Sequence, residues 1–256
     1  MIIETHCHLD YLGLEKLQEI LELSTQAKIQ KIITIGVDPE NLDKVKQISD
    51  DHEMIYYTQG IHPHDAKLAT EIEFDKIATR SSEKKMVAVG EIGLDYHYDN
   101  SPRDIQKSVF EKQLQLSLDH NLPVVIHTRE AEEDTMAILR NFPKIKGVVH
   151  SFTSSLELAE FVLGRNLFLG FNGIITFKNA KNVQDVVKIT PLDQILFETD
   201  APFLTPVPHR GKENAPYFLP WVVTKIAELK EISEDELKPI VYQNSLRCFP
   251  KLTHQA

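Results

Sequence analysis

The sequence predicts an α/β fold, a (β/α)8 TIM barrel in one domain, from three observations. Eight short apolar runs recur along the 256 residues. A helix-length stretch follows each run. The runs are continuously apolar rather than alternating, as expected of parallel strands covered on both faces. Alternating strands and helices imply crossovers between parallel neighbours, and eight such units in roughly 250 residues match the barrel. A doubly wound open sheet is the competing arrangement. No low-complexity linker or composition shift divides the chain, so residues 1–256 read as a single domain.

The elements follow in order. The first strand covers Met1–Glu4, and Leu14, Leu17 and Leu21 then fall at i, i+3, i+7, a helical stripe. The second strand covers Ile29–Val37, and Asp38-Pro39 reads as an N-cap with proline at the first helical position. The third covers Met54–Gly60. The fourth covers Met86–Ile92, after which Ser101-Pro102 repeats the cap signal ahead of Phe110, Leu114 and Leu118. The fifth to eighth strands cover Leu122–Ile126, Gly147–Val149, Leu167–Phe171 and Ile195–Phe197. Each is rich in Val, Ile or aromatic residues. The proline-rich stretch from Ala201 to Pro220 reads as a long final loop. Val222, Ile226 and Leu229 mark a helix, and Ser233 with Glu236 has capping-box spacing for the last one. Pro239 falls inside that last pattern, so the helix is kinked there or begins later.

Composition narrows the function classes. Lys plus Arg is 28 against 38 Asp plus Glu, a formal charge of −10. That excludes a long basic groove tracking many phosphates and leaves room for a local cationic site. Any DNA affinity should be weak, with shallow salt dependence. With 42% hydrophobic residues a real core is expected, and two cysteines do not make a disulfide scaffold. No run is long and apolar enough for a membrane span. The N-terminus lacks a basic and apolar leader, so a cytoplasmic protein is expected, and a monomer.

The chemistry is at the strand ends. His6 and His8 flank Cys7, so strand alternation turns both imidazoles to one face and the thiol to the other. Strand four runs into Glu91, strand five ends at His127, strand six at His150, and strand eight leads to Asp200. In a barrel the carboxyl ends of all strands meet at one face, where active sites sit. Four histidines and two carboxylates therefore converge as candidate metal ligands. Imidazole with carboxylate suits Zn, Mn, Fe, Co or Ni and not an all-oxygen cage. Six ligands exceed one tetrahedral ion, and two ions sharing a carboxylate, roughly 3.5–4 Å apart, fit better. Zn, Mg, Mn, Ni and Fe are the candidates for the pair. Two divalent ions, two carboxylates and a hydroxide leave a net charge of about +1, which attracts an anion such as phosphate. The implied chemistry is hydrolysis. Cys7 and Cys248 read as packing residues.

Seven segments carry a family resemblance. Glu-Thr-His-Cys-His-Leu-Asp at 4–10, Gly-Ile-His-Pro-His at 60–64 and Gly-Glu-Ile-Gly-Leu-Asp at 90–95 are three of them. His-Thr-Arg-Glu-Ala at 127–131, His-Ser-Phe at 150–152 and Glu-Thr-Asp-Ala-Pro at 198–202 follow. Arg210-Gly211 with Asn214 and Pro216 completes the set. Together they resemble the successive signatures of the TatD family, in order, from residue 4 to about 249. The resemblance implies an amidohydrolase-type metal-dependent hydrolase that acts as a deoxyribonuclease, often from DNA 3′ ends. It implies that His6, His8, Glu91 and Asp200 hold one ion and that Glu91, His127 and His150 hold the other. Glu91 would bridge, and Asp200 would also serve as the catalytic base. The family usually has Asp where this chain has Glu4, a residue read as orienting a ligand rather than binding the metal. A same-superfamily hydrolase of cyclic amides, lactones or small phosphoesters is the alternative function. A metal-dependent interaction module is a third.

Other residues carry two readings each. His62 at the end of strand three is a substrate-phosphate or proton-transfer residue, or makes a structural hydrogen bond. Arg129 and Arg210 clamp a substrate phosphate or pair with loop acids. Asp95 reads as a turn residue or a partner of a ligand, and His64 as structural. Tyr96 and Tyr98 could stack a base or simply line a loop. His52, His97, His120, His209 and His254 carry no expectation.

Overall fold

The computed structural model describes residues 1–253; His254 lies outside the described residues. Eight parallel strands form one sheet in sequence order. They are β1 (Ile2–Cys7), β2 (Ile29–Thr34), β3 (Ile55–Gln59), β4 (Met86–Asp95), β5 (Val124–Arg129), β6 (Gly147–Val149), β7 (Phe168–Phe171) and β8 (Ile195–Phe197). The sheet closes on itself at a narrow seam. Cys7 bridges Ala201, His8 N–H donates to the Ala201 carbonyl at 2.7 Å, and Asp200 N–H donates to the His6 carbonyl at 2.9 Å. The expected TIM barrel is therefore present, and the open-sheet alternative falls.

Helices α1 (Leu17–Gln26), α2 (Leu42–Asp51), α3 (Glu71–Arg80), α4 (Arg103–Asp119), α5 (Glu132–Asn141), α6 (Leu156–Leu163), α7 (Lys181–Ile189) and α8 (Leu219–Lys230) each follow a strand; α9 (Glu234–Cys248) is additional. Among the described residues no helix is long and apolar enough to cross a membrane.

Strand alternation sorts the core into two layers. Ile32, Ile55, Val124, Val149 and Ile195 pack outward against the helices. Ile33, Tyr56, Val125, Val148 and Leu196 fill the barrel interior. Cys248, Phe249 and Leu252 plug its lower end. The alternation also positions the site. Val125 shares a face with His127, Val148 with His150, and Leu196 with Glu198. The interior packing is thus a dry floor beneath the ligands.

Three local expectations are corrected. Asp38 does not cap α2, because its Oδ1 accepts from Glu40 N–H at 2.8 Å and Asn41 N–H at 2.9 Å, which folds a turn and delays the helix to Leu42. Ser101 does not cap α4. Its hydroxyl bridges the His64 carbonyl and Lys67 N–H, and Pro102 takes the flanking position. Leu14 lies on a short 3-10 turn and stays exposed, whereas Leu17 and Leu21 are buried. The Ser233–Glu236 capping box forms, so α9 starts before Pro239 and carries it inside.

Candidate metal centre

The mouth of the barrel is a cavity of about 810 Å³ lined by His8, His62, Glu91, His127, His150 and Asp200, among others. Each of these comes from the carboxyl end of a different strand, as the sequence predicted. The His8 and Asp200 ends meet across the seam between β1 and β8, and the backbone bonds there hold His6, His8 and Asp200 in register.

Glu91 sits at the centre, and its two oxygens face different histidines. Oε2 lies 3.4 Å from His6 Nε2 and 4.0 Å from His8 Nε2. Oε1 lies 2.7 Å from His150 Nε2, 3.1 Å from His127 Nδ1 and 3.4 Å from His62 Nε2. Asp200 Oδ1 completes the first group, 3.6 Å from His6 and 3.5 Å from His8. His127 Nδ1 and His150 Nε2 are 3.4 Å apart, which closes a triangle with Glu91 Oε1. Clusters able to hold an ion are His6 with His8 and Asp200, His6 with Glu91 and His150, and His62 with Glu91 and His127.

The electrostatics suit a cation. Burial alone pushes Glu91 up, but the facing imidazoles of His150 and His62 and the hydrogen bond from His127 hold it well below the ordinary carboxylate range. Asp200 is likewise held down against burial by its hydrogen bond with His8. Burial, reinforced by His150, drives His6 down to about 4, and burial brings His62 to about 4. These four groups therefore rest as neutral imidazoles and ionised carboxylates, the donor states a metal requires. His6 Nε2 and Nδ1 and His8 Nδ1 are buried with no hydrogen-bond partner among the described residues. Burying such groups unpaired is costly, and a metal at His6 Nε2 removes part of that cost. The residues present fit a divalent ion on each side of Glu91.

A surrounding set of acids contacts the candidate ligands. Asp95 Oδ2 lies 3.0 Å from His127 Nε2 and 3.2 Å from His64 Nε2, while Oδ1 accepts from the N–H groups of His97 and Tyr98, each at 3.0 Å. Asp95 is thus both the turn residue and the ligand partner that the sequence left as alternatives. Burial opposes a charge on His127, yet Asp95 and Glu91 raise it to about 9. Glu4 is fully buried and accepts from His6 N–H at 2.9 Å and Thr199 N–H at 3.0 Å, joining β1 to the end of β8. Burial raises its carboxyl to about 8. Glu198 accepts from Ser151 N–H, and its Oε1 lies 3.9 Å from His150 Nδ1. The sequence reading missed Glu198, although its spacing of two from Asp200 repeats the His6–His8 signal.

An expected outcome follows for Asp95. Asp95→Asn keeps the size but weakens the hold on His127, so metal affinity should fall about 10- to 100-fold. Titration with Mn, followed by isothermal calorimetry, reads this; an unchanged affinity removes Asp95 from the support of the site.

The other expectations divide. His62 faces Glu91, and its Nδ1 accepts from His64 N–H at 3.2 Å, so the structural hydrogen bond is present and the ring also joins a cluster able to hold an ion. Arg129 lines the cavity, with its guanidinium 4.9 Å from the centre of the Tyr98 ring. Arg210 is not brought into the lining; its guanidinium lies 4.1 Å from the centre of the Phe177 ring. Tyr98 lines the cavity, whereas the Tyr96 hydroxyl is bound to Asp134 at 2.6 Å. Cys7 is fully buried in the outer layer and Cys248 in the barrel floor, as packing residues.

A parallel eight-stranded barrel with histidines and carboxylates gathered at its carboxyl face defines a metal-dependent hydrolase of the TIM-barrel type. The family model described as TatD related DNase matches residues 3–250, and the chain belongs to that family. It is 41% identical over 252 residues to the uncharacterized metal-dependent hydrolase YabD of Bacillus subtilis, covering 97% of this chain and 99% of that protein. It is 33% identical over 254 residues to the uncharacterized metal-dependent hydrolase YcfH of Escherichia coli, covering 97% and 95% of the two chains. The crystal structure of YJJV, a TatD homolog from Escherichia coli K12, superposes with a TM-score of 0.91 at 29% identity, covering 97% of this chain and 98% of that one.

Proposed function

We propose that this protein is a deoxyribonuclease that hydrolyses phosphodiester bonds at DNA 3′ ends with two divalent ions. The observation that carries the reading is the division of Glu91, one oxygen toward His6 and His8 and the other toward His127 and His150. His6, His8, Glu91 and Asp200 would hold one ion; Glu91, His127 and His150 would hold the second. When bound, the ions would supply Lewis acidity toward the scissile phosphate and acidify the attacking water.

The chain's own groups do the rest. Asp200 is ionised, lines the cavity and has a side chain 13% exposed, so it accepts a proton from the attacking water. Arg129 binds a phosphate oxygen at the cavity wall. His62 stays neutral, and its link to Glu91 fixes the orientation of that carboxylate. The dry floor of Val125, Val148 and Leu196 strengthens every charge interaction above it. The family's description as TatD related DNase supports a DNA substrate. The whole chain would work as one barrel domain, as a monomer in the cytoplasm.

The test is incubation of purified protein with a 5′-labelled single strand and Mg or Mn. Stepwise shortening supports the reading. An intact strand, alongside hydrolysis of a lactone or cyclic amide, would move the protein to the alternative substrate class.

A further inference from the structure

Tyr11 and Phe203 are large apolar side chains left 45% and 52% exposed at the mouth of the cavity. One exposed aromatic needs no explanation. Two beside the same pair of candidate ligands do. Each follows a ligand by three residues and is tied back to it by a backbone bond. Tyr11 N–H donates to the His8 carbonyl at 3.1 Å, and Phe203 N–H donates to the Asp200 carbonyl at 2.9 Å. The Tyr11 ring stacks on His8, with centroids 5.2 Å apart and planes at 13°. Phe203 stands edge-on to both, 6.4 Å from Tyr11 and 6.2 Å from His8. The rings are therefore held at a fixed distance from the metal centre, at low entropic cost for a ligand.

The charges of the cavity narrow what these rings can bind. Among the described residues lining it, Arg129 is the sole Lys or Arg, against the acids Asp65, Glu91, Asp95 and Asp200. A nucleic-acid strand finds one cationic side chain here and no track of them. Binding beyond the scissile phosphate has to come from the bases, and every base offers a π-face to an aromatic ring.

We propose that Tyr11 and Phe203 form a stacking platform for the nucleobase next to the scissile phosphate. The inference rests on the phosphodiesterase reading and deepens it. A base inside a duplex has both faces covered by its neighbours, and taking it costs unstacking energy. A single-stranded terminus offers the face freely.

The test compares two 5′-labelled single strands of one sequence, the second carrying an abasic tetrahydrofuran residue at its 3′ end. Wild-type protein with Mn should prefer the intact strand by about tenfold in kcat/KM. Tyr11→Ala/Phe203→Ala should bring the two strands to parity, and Tyr11→Phe/Phe203→Tyr, which keeps both ring faces, should restore the preference. Quenching of a 3′-terminal 2-aminopurine in the complex reads the same stacking without hydrolysis. It should be present in wild type and absent in the double alanine variant, even if that variant turns over neither strand. Parity in wild type, or a preference and quench that survive the double alanine change, overturns the platform and leaves the nuclease reading standing. Failure of wild type to cut either strand overturns the nuclease reading and the platform with it.

Discussion

Glu91→Gln is expected to lower hydrolysis of a 5′-labelled single strand by about 10³-fold or more, because the Lewis-acid contribution it supports is worth several kcal/mol at about 1.4 kcal/mol per decade. The amide keeps the shape of the side chain but loses the charge that four imidazoles surround. His150, His127 and His62 lie within 3.4 Å of Oε1, and His6 lies 3.4 Å from Oε2. Both halves of the site depend on that one group, so metal content should fall together with activity. Strand shortening at the wild-type rate in Glu91→Gln would trace the activity to a contaminating nuclease.

Asp200→Asn carries the second large effect, a fall in kcat of about 10²- to 10⁴-fold. An amide cannot take a proton from water, and it cannot counter the partial charge on His8. Burial resists that charge, and the hydrogen bond with Asp200 is the main interaction that raises the His8 ring against it. Circular dichroism should show an intact fold, because the backbone bond from Asp200 N–H to the His6 carbonyl does not involve the side chain. A kcat within threefold of wild type would take Asp200 out of the proton transfer.

These two residues were legible in the sequence for a simple reason. A barrel strand is short and apolar, and its carboxyl end is the first place a polar side chain reaches solvent. Reading the runs therefore found His127, two residues before the end of β5, and His150, the residue after β6. The run at strand four was read to Ile92, but β4 continues to Asp95 through a register shift between Val89 and Ile92. Gly93 makes that continuation possible. Its φ of 139° and a would-be Cβ only 1.9 Å from the His127 carbonyl leave room for glycine alone.

What the sequence withheld depends on loop paths and on contacts distant in the chain. Glu4 and Thr199 are bonded across the seam, and no local pattern relates residues that far apart. Arg210 sits in a family motif, yet the path of the final loop lays it over Phe177 rather than in the cavity. Tyr11 and Phe203 fall outside any periodic run, and only closure of the barrel brings them together.

In the proposed function Glu91 joins two metal half-sites. Elemental analysis of protein saturated with Mn and desalted tests it most directly. Wild type should carry two equivalents. His127→Ala, which strips one corner from the Glu91–His127–His150 triangle and leaves His6, His8 and Asp200 in place, should carry one. A single equivalent in wild type, or an unchanged content in His127→Ala, would contradict the account.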